Sequence, residues 1–529
     1  VVHAQYDVLL RNGHVLDGTG NPWFKADVAV RDGRIAAVGK LRSATAARVI
    51  DAAGHVVVPG FIDLHSHADE GLGNNDARRR AAPNLVAQGV TTVVVNQDGR
   101  SPRPIREQRV AYDKLKIGPN AILLVGHGTV RSAVLGNDYR RAATAEETQR
   151  MKALVRQALA DGAWGMSSGL EYGSTPWATT DEMVALAEEL VPVDGVLIQH
   201  ERSGGVAPMW WLPSRDPPGP PTLLDTIREG VEISERTGAR VVISHIKSRG
   251  QKYWGTAGAA VQIIERARAR GVEVWADQYP YETSGSDGGL VLIPDWARRD
   301  LPKILADPGE AAKLRADITH QIDFRGGAER IIVFDYPEKS YVGKNLAELA
   351  SQRGKSPVEM AITLRLEGYP NRPGGARVRS FSMDEPDIEQ YAAQPWVATA
   401  SDAGIALPED GPATHARFYG TFPRKIRRYA MERKVLTVEQ AIRSMTSLPA
   451  QILGLRDRGL LREGLAADLA VLKLDEVRDR ATFTDPHQYA AGVPYVLVGG
   501  KFVVDGGKLT GELPGRVITR HLYLGARPE

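Results

Sequence analysis

Eight short strand-like runs, most of them separated by helical stretches, constrain this chain more than any other feature. They fall at residues 57–64, 91–95, 121–125, 165–168, 196–199, 241–244, 272–276 and 397–400, and helical patterning covers 145–161, 180–190, 223–237 and 257–270. Strands that alternate with helices predict a parallel sheet, and eight of them predict a closed (β/α)8 TIM barrel of the α/β class. A doubly wound open sheet is the alternative. The barrel makes a definite demand: chemistry must sit just past the C-terminal ends of the strands.

Both ends of the chain have a different texture. Runs at 6–10, 27–30 and 34–38 are strand-like, with Asn12-Gly13 and Asp32-Gly33 as hairpin signals. Runs at 467–472, 495–498 and 501–504 match them, with Gly499-Gly500 between the last two. The ends are expected to form one small β-sandwich domain. The expected organisation is therefore sandwich 1–58, barrel 59–450 and sandwich 451–529, with an insertion at about 282–394. The stretch 204–221, with Met209, Trp210, Trp211 and Pro217-Pro218-Gly219-Pro220-Pro221, is too long and proline-rich for an ordinary βα loop.

Composition removes several functions. The formal net charge is only +3, and Arg78-Arg79-Arg80 is the nearest approach to a basic tract, so no nucleic-acid footprint is present. Cysteine is absent, which excludes disulfides, cysteine zinc sites and a cysteine nucleophile. No apolar run reaches the roughly 18–20 residues of a membrane span. Val1-Val2-His3-Ala4-Gln5 has small residues where a signal-peptidase remnant has them, which leaves a cytoplasmic or a periplasmic or secreted location open.

The strand ends carry the chemistry. The first run ends in His65-Ser66-His67, and residues i and i+2 of a strand share a side. The fourth is followed by Glu171, the fifth ends at His200-Glu201, the sixth at Ser244-His245 and the eighth at Ser401-Asp402. Only 12 histidines exist, and four stand at these ends. A lone strand-end histidine is more often a hydrogen-bonding loop residue; the His65–His67 pair reverses that expectation. Imidazoles with carboxylates suit Zn2+ or a similar divalent ion. Two ions are favoured over one, with ligands His65, His67, Glu171, His200, His245 and Asp402. Asp98, in Asn96-Gln97-Asp98-Gly99, reads first as a turn residue, and His127 and His415 are further candidates.

These segments resemble the amidohydrolase superfamily, and within it the N-acyl-D-amino-acid deacylase (D-aminoacylase) group. The likeness rests on 59–67 (Pro-Gly-Phe-Ile-Asp-Leu-His-Ser-His), 89–95, Ser244-His245-Ile246-Lys247, Tyr279-Pro280-Tyr281, Ser401-Asp402, 415–420 and 459–469, and runs nearly end to end. The resemblance implies a metal-dependent hydrolase of linear amides, which cleaves the amide bond of N-acyl amino acids by attack of a metal-bound hydroxide, with Asp402 as the catalytic proton carrier. It also implies that Lys247, Tyr279, Ser284 and Arg417 hold a substrate carboxylate. The group typically has a bridging cysteine after the second strand. This chain has none there, so Glu171 is the expected bridge and Asp98 the alternative.

The expected substrate is a small acylated amino acid, most simply an N-acyl-D-amino acid. A cyclic-amide or lactone hydrolase or a dipeptidase on the same scaffold is the alternative. Trp210 and Trp211 suit an apolar acyl pocket. A homo-oligomer is compatible with this reading; nucleic-acid and membrane partners are not expected.

Overall fold

The structure is a computed structural model that describes residues 4–520. Residues 1–3, on which the signal-remnant expectation partly rests, and 521–529 of the expected C-terminal segment lie outside the described residues. Eight parallel strands form the central sheet: β1 (Phe61–Asp63), β2 (Val90–Val95), β3 (Asn120–Gly126), β4 (Gly165–Gly169), β5 (Val196–His200), β6 (Arg240–Ile243), β7 (Val274–Gln278) and β8 (Val397–Thr399). They are hydrogen-bonded in chain order, from Ile62 opposite Thr92 to Gln278 opposite Thr399. Between β1 and β8 the ring is completed just beyond the strands: Ser66–His67 pairs in parallel with Ala403–Gly404, and Asp402 N donates to His65 O at 2.9 Å. The expected barrel is thus present, and three of the expected site residues, His65, His67 and Asp402, take part in its seam.

The apolar run at 57–64 proves to be two strands. Val56–Pro59 pairs antiparallel with Leu469–Leu472, and the barrel begins only at Phe61. The switch falls at Gly60, where a Cβ atom would lie 2.3 Å from the Thr91 side chain, so only glycine fits. Gly60 N still donates to Asp468 O at 2.8 Å, whereas Phe61 N donates to Gly89 O at 2.9 Å, so the change of sheet falls between these two residues.

The chain ends form one nine-stranded mixed sheet. Its side chains alternate as the pleat requires. Val57, Leu469, Val471 and Leu497 join Val8, Val28 and Val30 in a core of the sheet's own. Val56, Val58, Ala470, Leu472, Val496 and Val498 turn the other way into the barrel's core. Each fully buried Val or Leu contributes about 1.5–3 kcal/mol, so this face is a substantial attachment. Asp32-Gly33 is a true hairpin turn, with φ of 52° and 72°. Asn12-Gly13 is not: the strand Tyr6–Val15 runs through it, and the register shift between Leu10 and Gly13 marks a bulge that absorbs the left-handed Asn12.

The insertion has a separate core. Helices Leu301–Ala306, Pro308–Phe324, Leu346–Gln352 and Pro357–Glu367 and the antiparallel pair Ile331–Asp335 and Arg377–Ser380 pack round Leu314, Ile318, Ile331, Leu349, Met360 and Val378. Asp307 starts the longest of these helices by accepting from Gly309 N and Glu310 N, with Pro308 at the first helical position. Helix Glu385–Ala392 packs back on the barrel through Ile388 and Tyr391.

Candidate metal centre

Four imidazoles and two aspartates converge past the C-terminal ends of β1, β2, β5, β6 and β8. Three overlapping groups, His65–His67–Asp98, His65–His245–Asp402 and Asp98–His200–His245, each bring three donor atoms within 4.8 Å of one another. Asp98 is central. Its Oδ1 lies 3.3 Å from His200 Nδ1, 3.7 Å from His65 Nε2 and 3.8 Å from His245 Nε2, and its Oδ2 lies 3.5 Å from His67 Nε2. Asp402 Oδ1 lies 3.1 Å from His67 Nε2 and 3.5 Å from His65 Nε2.

Backbone conformation aims these side chains. Asp98, His245 and Asp402 have φ of 56°, 38° and 49°, in the left-handed region that non-glycine residues rarely enter. Such strain persists only where surrounding bonds hold it. At β6, His245 N donates to Asp277 Oδ1 at 2.7 Å, and Ser244 Oγ hydrogen-bonds His65 Nδ1. At β8, Ser401 N donates to Asp63 Oδ1 at 2.8 Å. After β2, Gly99 N donates to Ser167 Oγ at 3.1 Å.

The donor chemistry fits a divalent ion. Ligand atoms about 2.0–2.1 Å from a tetrahedral ion sit about 3.3 Å apart. His65 Nε2 and His67 Nε2 are 3.3 Å apart, and His200 Nδ1 and His245 Nε2 are 2.8 Å apart. Asp98 Oδ1 is buried among them with no well-formed hydrogen bond. Electrostatics agree. Burial opposes charge on His67, yet the hydrogen bond to Asp402 and the charges of Asp98 and Asp402 push it up to about 9. His200 is likewise pushed up to about 9, against burial, by Asp98 and Glu171. Burial would raise Asp98, but His200, His67 and His65 hold it well below the usual carboxylate range. Asp402 is held low, against burial, chiefly by Arg417. Burial pulls His65 down to about 4 and, with Lys247, holds His245 low. Protons here stand where a cation belongs.

Glu171 stands one hydrogen bond outside this convergence. Its Oε2 lies 3.0 Å from His200 Nε2, and its Oε1 accepts from Met209 N at 2.8 Å. Both oxygens are thereby engaged away from the other donors, and among the described residues Glu171 belongs to none of the three groups. Three of the four expected carboxylate-binding residues share one wall. The Arg417 guanidinium lies 4.5 Å from the Tyr279 ring centre, and Lys247 Nζ lies 5.8 Å from the same ring. Arg417 Nη1 reaches Asp402 Oδ2 at 3.0 Å, and Lys247 Nζ reaches His245 Nδ1 at 2.6 Å. Ser284 Oγ accepts from Arg249 Nη2 at 3.0 Å. His415 accepts from Arg417 N at 2.9 Å and so helps to place that arginine. His127 is turned away, into a buried contact of 2.8 Å with Glu182.

In sequence alone Asp98 ranks below Glu171, because an Asn-Gln-Asp-Gly segment is what an ordinary turn looks like. Glu201, which no motif marks in the sequence, is buried with Oε2 3.6 Å from His245 Nδ1. A cavity of about 500 Å3 stands apart from the metal-facing residues, none of which lines it. It lies between the 204–221 loop and helix Pro308–Phe324, lined by Val206, Ala207, Trp211, Pro220, His320 and Phe324 among others. Trp210 is outside it and 46% exposed.

The sequence profile described as "Amidohydrolase family" matches residues 48–192 and 329–504, more than half of the chain. The chain belongs to the amidohydrolase family. This amidohydrolase is 34% identical to the D-aminoacylase of Alcaligenes xylosoxydans xylosoxydans, over 97% of its own length and 98% of the relative's. A D-aminoacylase structure described with a binuclear metal centre superimposes with a TM-score of 0.75 at 32% identity, covering 97% of this amidohydrolase and 100% of that chain. The N-acyl-D-glutamate deacylase of Bordetella bronchiseptica, solved with zinc and a phosphonate mimic of the tetrahedral intermediate, gives a TM-score of 0.75 at 30% identity, covering 97% and 99%.

Proposed function

We propose that this protein is a metal-dependent N-acyl-D-amino-acid deacylase. The observation that carries the proposal is the position of one carboxylate, Asp98, among four imidazoles with Asp402 beside them. In this reading His65, His67 and Asp98 would hold one ion, and Asp98, His200 and His245 a second. Asp98 rather than Glu171 bridges, at the position where the D-aminoacylase group typically has cysteine. A carboxylate is a harder donor than a thiolate, so the N/O set accepts zinc and neighbouring first-row ions. Bound there, a divalent ion supplies Lewis acidity and brings the pKa of water from 15.7 towards about 7.

The chain's own residues supply the remainder. Arg417, Lys247, Tyr279 and Ser284 hold the substrate carboxylate, with the planar guanidinium fork as the orienting group. Arg417 is then shared between Asp402 and substrate. As it turns to the substrate, Asp402 loses the partner that most depresses its basicity, and it becomes able to take a proton. Asp402 Oδ1 holds that proton and returns it to the leaving nitrogen, because an amine departs poorly unless protonated. The carboxylate wall favours an acyl-amino acid over a neutral lactone.

The test is turnover of paired N-acyl-D- and N-acyl-L-amino acids, dipeptides and lactones by metal-loaded protein. The D series should be hydrolysed with the highest kcat/KM. Preference for the L series or for lactones would overturn the assignment. Within this reading the cavity under Trp211 receives the acyl group. Trp211→Ala should lower kcat/KM for aromatic or long acyl chains about tenfold or more relative to N-acetyl substrates, since each missing apolar contact in such a pocket is worth about 1–3 kcal/mol. An equal change for both substrates removes the cavity from the acyl site.

A further inference from the structure

Resting on the metal centre proposed above, we infer that Glu171 is a positioning residue that joins the His200 imidazole to the loop over the cavity. A carboxylate oxygen only accepts, so the 3.0 Å contact from Glu171 Oε2 places the imidazole hydrogen on His200 Nε2. Nδ1 is then the lone-pair nitrogen. It is the atom that faces Asp98 Oδ1 at 3.3 Å and His245 Nε2 at 2.8 Å. Glu171 therefore selects the tautomer of His200 that can ligate an ion, as carboxylate partners of metal-binding histidines do. The Tyr172 ring, 4.4 Å from His200 between centres, braces the same imidazole.

The second oxygen acts elsewhere. Glu171 Oε1 accepts from Met209 N at 2.8 Å, and two residues on Trp211 lines the cavity. Further along, Ser214 N donates to Asp317 Oδ1 at 3.0 Å, which ties the loop to the insertion. The loop thus spans from the metal centre to the insertion, and Glu171 is its fastening at the metal end. One carboxylate sets the ligand's proton and the loop's position together, and its side chain is itself buried.

Two substitutions separate this role from mere packing. Glu171→Gln keeps an oxygen for Met209 N, but its amide hydrogens face His200 Nε2 and drive the imidazole hydrogen onto Nδ1. Glu171→Ala removes both contacts and leaves the tautomer unforced. Chelator competition with zinc should show the affinity of one of two ions falling about 100-fold in the Gln variant and about 10-fold in the Ala variant. The rise in KM should be confined to the Ala variant. Met209→Pro, which removes the N–H that Glu171 holds without touching Glu171 or His200, should raise KM and leave metal affinity unchanged.

A packing role predicts the opposite order, with Ala worse than Gln for metal, and that order overturns the inference. So does unchanged affinity in both, or loss of a whole ion per chain at saturating zinc, which would make Glu171 a ligand. Wild-type protein titrated alongside distinguishes the two levels: if it binds no zinc, the metal-centre reading itself fails.

Discussion

Asp402→Asn should lower kcat by about 10³–10⁴-fold while the metal content per chain stays at the wild-type value. The magnitude is that of a general acid–base group and corresponds to about 4–5.5 kcal/mol of barrier. Asparagine keeps the shape and an oxygen for the imidazoles, but it cannot hold and return a proton. Barrel closure should survive, because the contact to His65 O is made by the backbone N of residue 402. Kinetics with elemental analysis of the same sample checks this. A kcat within tenfold of wild type would sink Asp402 as the proton carrier, and loss of metal would recast it as chiefly a ligand.

The second large effect belongs to Asp98. Its carboxylate lies within 4 Å of a ring nitrogen of each of the four histidines, so Asp98→Ala removes a donor from both proposed ions. Dialysed protein should then retain at most one ion per chain, and turnover should fall with it. Asp98→Cys should restore two ions and shift preference towards softer metals, since a thiolate replaces a carboxylate. The decisive outcome is stoichiometry: two ions retained by Asp98→Ala would return the bridge to another residue. Alanine also leaves His67 and His200 without the carboxylate charge that helps to raise them to about 9. Both should titrate at lower pH in metal-free Asp98→Ala, which NMR of the imidazoles would register.

Much of this architecture could be read before the structure. Buried runs such as Val90–Val95 and Asn120–Gly126 announce parallel strands, and the His65-Ser66-His67 spacing announces a shared face. What escaped has physical causes. Residues 57–64 look like one strand because both halves are equally apolar; which sheet each joins is decided by partners far along the chain. Asp98 and Glu171 are both carboxylates past strands, and only the left-handed turn at Asp98 directs it inward. Asn12-Gly13 carries the residues of a turn, yet a paired neighbour on each side keeps the strand continuous. Local chemistry names the candidates; long-range pairing chooses among them.

The division of labour at Gly60 bears on how the polypeptide comes to be folded during synthesis. Strand Val56–Pro59 emerges early, and Tyr6–Val15 is already available on one of its edges. Its other partner, Leu469–Leu472, leaves the ribosome only after every barrel strand has been made. Until then an apolar edge waits open, and such edges are templates for association with other chains. Pairings of this sequence separation also form slowly. A nascent chain of this design therefore carries an exposed apolar edge until synthesis is nearly complete, and removing its last strands would leave more than a shortened sheet: the barrel would keep the uncovered apolar surface against which those strands pack.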